Sequence, residues 1–370
     1  MSDIGSNIIN EYLILKRIFS HLLPKDLLSA SLVCKDWHTV AKRVLQEFGG
    51  PLGYVWDPKE NWPNFNRQIL PKVILHFDIF NEGKINENTE LITLETEKII
   101  FKLKENYPLY YKFYTTSNRC FIGSNFSNKT HNKIDTKTGS ELNALQSVLL
   151  LNDSPGCTIK TFEITSKSDL KKEVINKFQS RDIKGIILIG NFIPNFQNSM
   201  KTLFKGLERL NAPLAGGRCY SLFRVDDVSR IDNKETNELT NIEILGITFE
   251  GENVTTNSAV HKLKMDHDKF LKEFSEEVGP RPDNSTRIAF LFVCVDRIDI
   301  FSEEYEWKLL KKYFPNVPVY GFFCYGEYFL KGKENQTSPL PKKRKVYNQN
   351  PDAFYYQSTS YLIVTIKNHL

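Results

Sequence analysis

Leu22-Leu23-Pro24-Lys25-Asp26-Leu27-Leu28-Ser29-Ala30-Ser31-Leu32-Val33-Cys34-Lys35-Asp36-Trp37 is the stretch on which the reading of this chain turns. Upstream of it, Ile8, Tyr12, Leu15, Phe19 and Leu22 recur at spacings of three and four, which predicts one amphipathic helix. Pro24 cannot continue that helix but suits the first turn of the next, where its fixed φ fits and its missing N–H is not needed. A second apolar series runs through Leu27, Leu28, Leu32, Val33, Trp37, Val40, Ala41, Val44, Leu45 and Phe48, and Gly49-Gly50-Pro51 stops it. So short a helical segment cannot bury its own apolar surface, and its core should be completed on a partner.

The same string resembles the F-box, whose members carry a Leu-Pro, a Leu-Leu pair and then Val-Cys-Lys-x-Trp. It departs from that pattern at the front, where Asn10-Glu11-Tyr12 stands in place of the usual opening Leu-Pro. The resemblance implies that Leu22, Leu23, Pro24, Leu27, Leu28, Leu32, Val33, Cys34 and Trp37 meet a Skp adaptor, which hands the protein to a cullin scaffold. The bland alternative is a plain helical cap.

The rest of the chain is too long for one core. At 370 residues, 41% hydrophobic and 25% charged, it predicts two or more folded units. A net charge of +5 from 49 basic and 44 acidic residues is too small an excess for the phosphate contacts of a nucleic-acid binder. No run approaches the ~18 apolar residues of a membrane helix, so a soluble intracellular protein is expected. Cys34, Cys120, Cys157, Cys219, Cys294 and Cys324 form no CxxC pair and read as free thiols, with no metal site.

After Pro51 short strand-like runs appear at 73–80, 120–123, 159–165, 185–190, 242–250, 287–295, 317–324 and 355–367. Helical patterns interleave at 169–179, 197–210, 267–278 and 304–314, and polar loops are expected at 124–140 and 331–351. No internal repeat stands out. The expected fold class is α+β: a small all-helical head over 8–50, then a mixed α/β body with an amino-terminal lobe over 51–210 and a carboxy-terminal lobe over 211–370.

Three motifs lie at strand ends of the second lobe, where ligand loops tend to be: Leu214-Ala215-Gly216-Gly217, Val293-Cys294-Val295-Asp296-Arg297 and Gly321-Phe322-Phe323-Cys324-Tyr325-Gly326-Glu327. In this order they resemble the FIST sensory domain, with its Gly-Gly, Cys-x-Gly-Arg and Gly-Phe-Phe-x-x-Gly-Glu; Asp296 replaces that domain's Gly before Arg297. The whole chain thus resembles the F-box proteins that carry a FIST domain. If a pocket is kept, Arg297 would clamp a carboxylate and Glu327 an amine, while Gly216, Gly217, Gly321 and Gly326 would admit close backbone approach. The alternatives are that the glycines serve tight turns, that Arg297 pairs with Glu327, and that Cys294 is an inert buried thiol.

No Gly-x-Ser-x-Gly, P-loop or His-Glu-x-x-His is present, so neither a catalytic residue nor a cofactor is assigned. Lys342, Lys343, Arg344 and Lys345, within Pro341-Lys342-Lys343-Arg344-Lys345-Val346, match the short basic nuclear-import signal of a viral large tumour antigen. They point to an importin and to a nuclear and cytoplasmic protein; a solvated charge run is the alternative. The function expected is a substrate-recognition subunit of a Skp-cullin-F-box ubiquitin ligase that delivers a protein substrate for proteasomal degradation. The rival is a small-ligand FIST sensor whose F-box sets abundance or location.

Overall fold

The computed structural model describes residues 2–22, 24–47, 52–56, 71–79, 99, 103, 112–118, 121–122, 146–165, 182–191, 197–226, 238–297, 309–331, 354–355 and 357–367. The helix expected over 169–179, the loop at 124–140, nearly all of that at 331–351, and the residues Leu23, Cys120 and Lys342 to Lys345 lie outside them.

The head is three helices, α1 (Ser2–Phe19), α2 (Pro24–Ser31) and α3 (Lys35–Glu47). Pro24 opens α2, as its geometry requires. The second apolar series is not one helix. The Ser31 hydroxyl donates to the Leu28 carbonyl at 2.6 Å, while Leu32 N and Val33 N donate to Ser29 O and Ala30 O, tightening the chain into a turn before α3. Phe19, Leu27, Ala30, Val40, Ala41 and Val44 form a separate small core.

The body is built from sheets, with helices against them. Its first part holds β1 (Leu52–Trp56), β2 (Val73–Ile79), β3 (Lys112–Asn118), β4 (Phe121–Ile122) and β5 (Gln146–Leu151). Next come β6 (Thr158–Ile164), β7 (Ile183–Asn191), α4 (Gln197–Glu208), β8 (Leu214–Cys219), β9 (Ser221–Asp226), β10 (Glu238–Asn241) and β11 (Ile244–Glu250). The last part holds β12 (Val254–Lys262), α5 (His267–Val278), β13 (Ser285–Cys294), a 3-10 turn (Val295–Arg297), β14 (Val319–Cys324), β15 (Glu327–Leu330), β16 (Phe354–Tyr355) and β17 (Ser358–Lys367); residues 309–313 are helical.

These strands form three sheets, ordered β1-β5-β2-β3-β9-β10, β16-β15-β8-β7-β11-β6 and β12-β17-β13-β14-β4. Each sheet has the same plan. A parallel central pair (β2 and β3, β7 and β8, β13 and β14) is flanked on one side by an antiparallel strand that follows it in the chain (β5, β11, β17). On the other side each takes a strand from another part of the chain. β9 joins the first sheet, β15 the second and β4 the third, each paired antiparallel to the central strand beside it. The body is therefore a threefold repeat with cyclic strand exchange, which the sequence reading did not anticipate. A division of the body at residue 210 does not follow these sheets, because β7 and β8 are neighbours across it.

One face of every sheet enters a common core: Val73, Leu75 and Phe77 from β2, Ile187 and Ile189 from β7, and Ile288, Phe290 and Phe292 from β13. The opposite faces of the second and third sheets are covered in turn. Leu203, Phe204 and Leu207 of α4 pack on Ile186 and Leu188, and Leu271 and Phe274 of α5 pack with Leu310 and Phe314 on Ala289, Leu291 and Val293. Burial on both faces explains why β7 and β13 read as unbroken apolar runs rather than alternating ones.

The second and third repeats share a visible frame. Asn211-Ala212-Pro213-Leu214-Ala215-Gly216-Gly217-Arg218-Cys219-Tyr220 matches Asn316-Val317-Pro318-Val319-Tyr320-Gly321-Phe322-Phe323-Cys324-Tyr325 at Asn, Pro, Gly, Cys and Tyr. Both Asn residues adopt positive φ, 54° and 60°, a conformation Asn tolerates. Both Pro carbonyls accept from the first paired residue of the neighbouring strand, Ile186 N and Ala289 N, each at 2.9 Å. Both glycines are fixed by close approach: a Cβ on Gly216 would overlap the Leu188 carbonyl, and one on Gly321 the Leu291 carbonyl.

Candidate functional site

Two regions gather the residues singled out from the sequence. In the head, Leu32 is 85% exposed, Val33 64% and Trp37 36%, whereas Leu27 is 0% exposed. The tight turn between α2 and α3 is what pushes Leu32 and Val33 outward. Cys34 is also exposed, Leu22 and Leu28 are half-buried, and Phe19 meets the Trp37 ring edge-on at 5.3 Å. Leu13, Ile14 and Ile18 of α1 are exposed as well. An apolar surface on a head this small is an interaction surface by its chemistry. Leu27 belongs to the head's own core and presents nothing to a partner.

The second region lies at the ends of β8, β13 and β14. Glu327, the first residue of β15, is fully buried and pairs across the sheet with Gly217. Its carboxyl accepts from the Ser358 hydroxyl at the start of β17 and from the Cys324 thiol at 3.6 Å. Cys294 and Cys324 are register partners on parallel strands, so both thiols face the same side. Burial raises both thiols and the nearby Glu327 charge raises them further, which makes Cys294 an inert thiol rather than a nucleophile. The close approach of Gly217 is to Cys324, whose Sγ would be 2.6 Å from an added Cβ. Gly326 lies in the connection from β14 to β15: its carbonyl accepts from Arg218 N at 3.1 Å, and Tyr325 N donates to Arg218 O at 2.9 Å.

Arg297 and Glu327 do not meet. Arg297 Nη1 donates to Thr359 Oγ1 at 2.7 Å, and the next residue back, Ser358, holds Glu327; successive residues of a strand face opposite sides. The two charged groups therefore occupy opposite faces of β17, and a zwitterion cannot be clamped between them in this arrangement. Arg297 is 1% exposed and also donates from Nη2 to His261 Nδ1 at 3.0 Å. Because a guanidinium only donates, His261 carries its proton on Nε2, which donates to Met265 O at 3.0 Å. The His261 and His267 rings stack with centroids 4.2 Å apart, and His267 Nε2 lies 2.9 Å from the Tyr361 hydroxyl. Burial, with the Arg297 charge adding to it, lowers His261 to about 4 and His267 to about 3, so both imidazoles are neutral at pH 7.

Ser358, Thr359, His261, His267 and Tyr361 were missed in the sequence. The histidines sit on different elements, β12 and α5, with no motif spacing to mark them. Among the described residues no group of three or more His, Cys, Asp or Glu is placed to hold a metal ion, and no helix is long and apolar enough to cross a membrane.

Comparison with known proteins places two domains on this geometry. Residues 14–45 match the F-box-like family and residues 240–330 match the FIST C domain. The first match spans α2, most of α3 and the end of α1; the second contains β11 to β15 with Cys294, Arg297, Cys324 and Glu327. No curated protein matches the chain. Among solved structures, cyanuric acid hydrolase from A. caulinodans superposes with a TM-score of 0.35 at 8% identity, covering 86% of this chain and 100% of that one. A superposition that loose carries no argument. Along the chain an F-box-like match thus precedes a FIST C match.

Proposed function

We propose that the chain is the substrate-recognition subunit of a Skp-cullin-F-box ubiquitin ligase. The observation that carries this reading is the exposed Leu32, Val33 and Trp37 surface inside an F-box-like match. Residues 8–50 dock on a Skp adaptor and, through it, on a cullin scaffold, and residues 51–370 select a protein substrate for ubiquitination. Such a subunit needs no catalytic residue, because ubiquitin transfer belongs to the other members of the ligase. The basic run from Lys342 to Lys345 supports import through an importin and a protein shared between nucleus and cytoplasm.

The test is copurification of the full-length chain with Skp adaptor and cullin, and its loss when residues 1–50 are removed. Retention of cullin by the truncated chain contradicts the proposal. A second reading, a small-ligand sensor, is favoured by the FIST C match and by the polar groups buried around Glu327. It predicts that a small molecule raises the melting temperature of the body, which the receptor reading does not require.

A further inference from the structure

Glu327 joins two sheets. Through β15 it belongs to the second sheet, where it pairs with Gly217 and Tyr355; its side chain is gripped by Ser358 of β17 and faces Cys294 and Cys324, all of the third sheet. Its carboxyl is fully buried. Among the described residues the groups that face it from the neighbouring strands are neutral hydroxyl and thiol donors, and its burial with no facing positive charge disfavours the carboxylate more than those donors favour it. Among the described residues the charged groups nearby sit around this joint rather than in it. Arg218 has its guanidinium beside Gly326 in the connection from β14 to β15, Asp296 acts on Cys294, and Arg297 with His261 and His267 lies on the opposite face of β17.

We propose that Glu327 is a proton-operated latch between the second and third sheets: neutral, it ties the exchanged strand β15 to β17, and ionised, it loosens that joint. Burial is the largest influence on the carboxyl, the Ser358, Cys294 and Cys324 donors oppose it in part, and the result is a group pushed up to about 7 from its ordinary 4.5. The direction of the linkage follows. Between these two values the folded chain holds a proton that the unfolded chain has released, so the contribution of Glu327 to stability falls as pH rises through about 7. β15 is short, and Glu327 is its first residue, so loss of this contact acts where the exchanged strand enters its sheet.

The experiment is denaturant unfolding of full-length wild type and Glu327→Gln, which keeps the shape of the neutral acid, at pH 6 and pH 8. Contributions from the histidines are common to both chains and cancel in the ratio. With a folded value of about 7, the wild-type unfolding constant should rise relative to that of E327Q by about tenfold between the two pH values. A ratio that stays constant overturns the latch. Should E327Q fail to fold, the infrared band of protonated carboxyl groups in wild type decides: its loss between pH 6 and pH 8 supports the proposal, and its absence at pH 6 overturns it.

Discussion

Replacing Leu32 and Val33 by Ala separates docking from folding. Both side chains are mostly in water in the free chain, 85% and 64% exposed, and neither belongs to the head's core. Burying a Leu or Val side chain fully is worth about 1.5–3 kcal/mol. Scaled by those exposures, the pair holds roughly 2–4 kcal/mol that is realised only against a partner, or about thirty- to a thousandfold in affinity. Removing it should cost the free chain almost nothing in stability. Leu27→Ala is the contrast: at 0% exposure it opens a cavity in the core of α1, α2 and α3 and should cost about 2–5 kcal/mol of head stability. Titration calorimetry with purified Skp adaptor measures the first effect and circular dichroism melting the second. If L32A/V33A binds the adaptor as tightly as wild type, the exposed turn is not the docking surface.

Three further outcomes follow from the body and its basic run. Gly216→Ala and Gly321→Ala each drive a methyl group into a strand carbonyl, so each should destabilise by about 2 kcal/mol or more in thermal melts, whereas Gly279→Ala, with open space around it, meets no such clash and costs only the strain of its positive φ of 71°. The buried His261 and His267 resist protonation in the fold but not in the unfolded chain. Their contribution is present above pH 6.5 and is lost as pH falls towards 4, so the denaturation midpoint should drop between pH 7 and pH 5. Changing Lys342, Lys343, Arg344 and Lys345 to Ala should shift a fluorescent fusion out of the nucleus; an unchanged distribution leaves the run a solubilising loop.

The parts legible in the sequence were those set by neighbours along the chain. Pro24 marks the start of α2, and α5 runs over the anticipated residues because its ends carry their own signals: Asp266 caps it by accepting from Lys269 N at 3.1 Å, and Gly279 closes it. The apolar runs located β7, β13 and β14 for the same local reason. Strand exchange was not legible, since β4 pairs with β14 from the far end of the chain and nothing near Phe121 encodes that partner. The repeat shows only as Asn-x-Pro and Gly-x-x-Cys-Tyr in two of its three copies. Glu327 and Arg297 were both found by motif, but which face of β17 each one takes depends on Ser358 and Thr359, and neither motif gives that.

On the proposed function, a protein captured by the body is destroyed through the head. The direct measurement is the half-life of proteins that copurify with the full-length chain, compared in cells expressing wild type and L32A/V33A, with a neddylation inhibitor as control. At least one protein held by both chains is expected to show a half-life that lengthens with the variant and with the inhibitor. If every captured protein turns over at the same rate in all three conditions, the chain is not a substrate receptor of a cullin ligase.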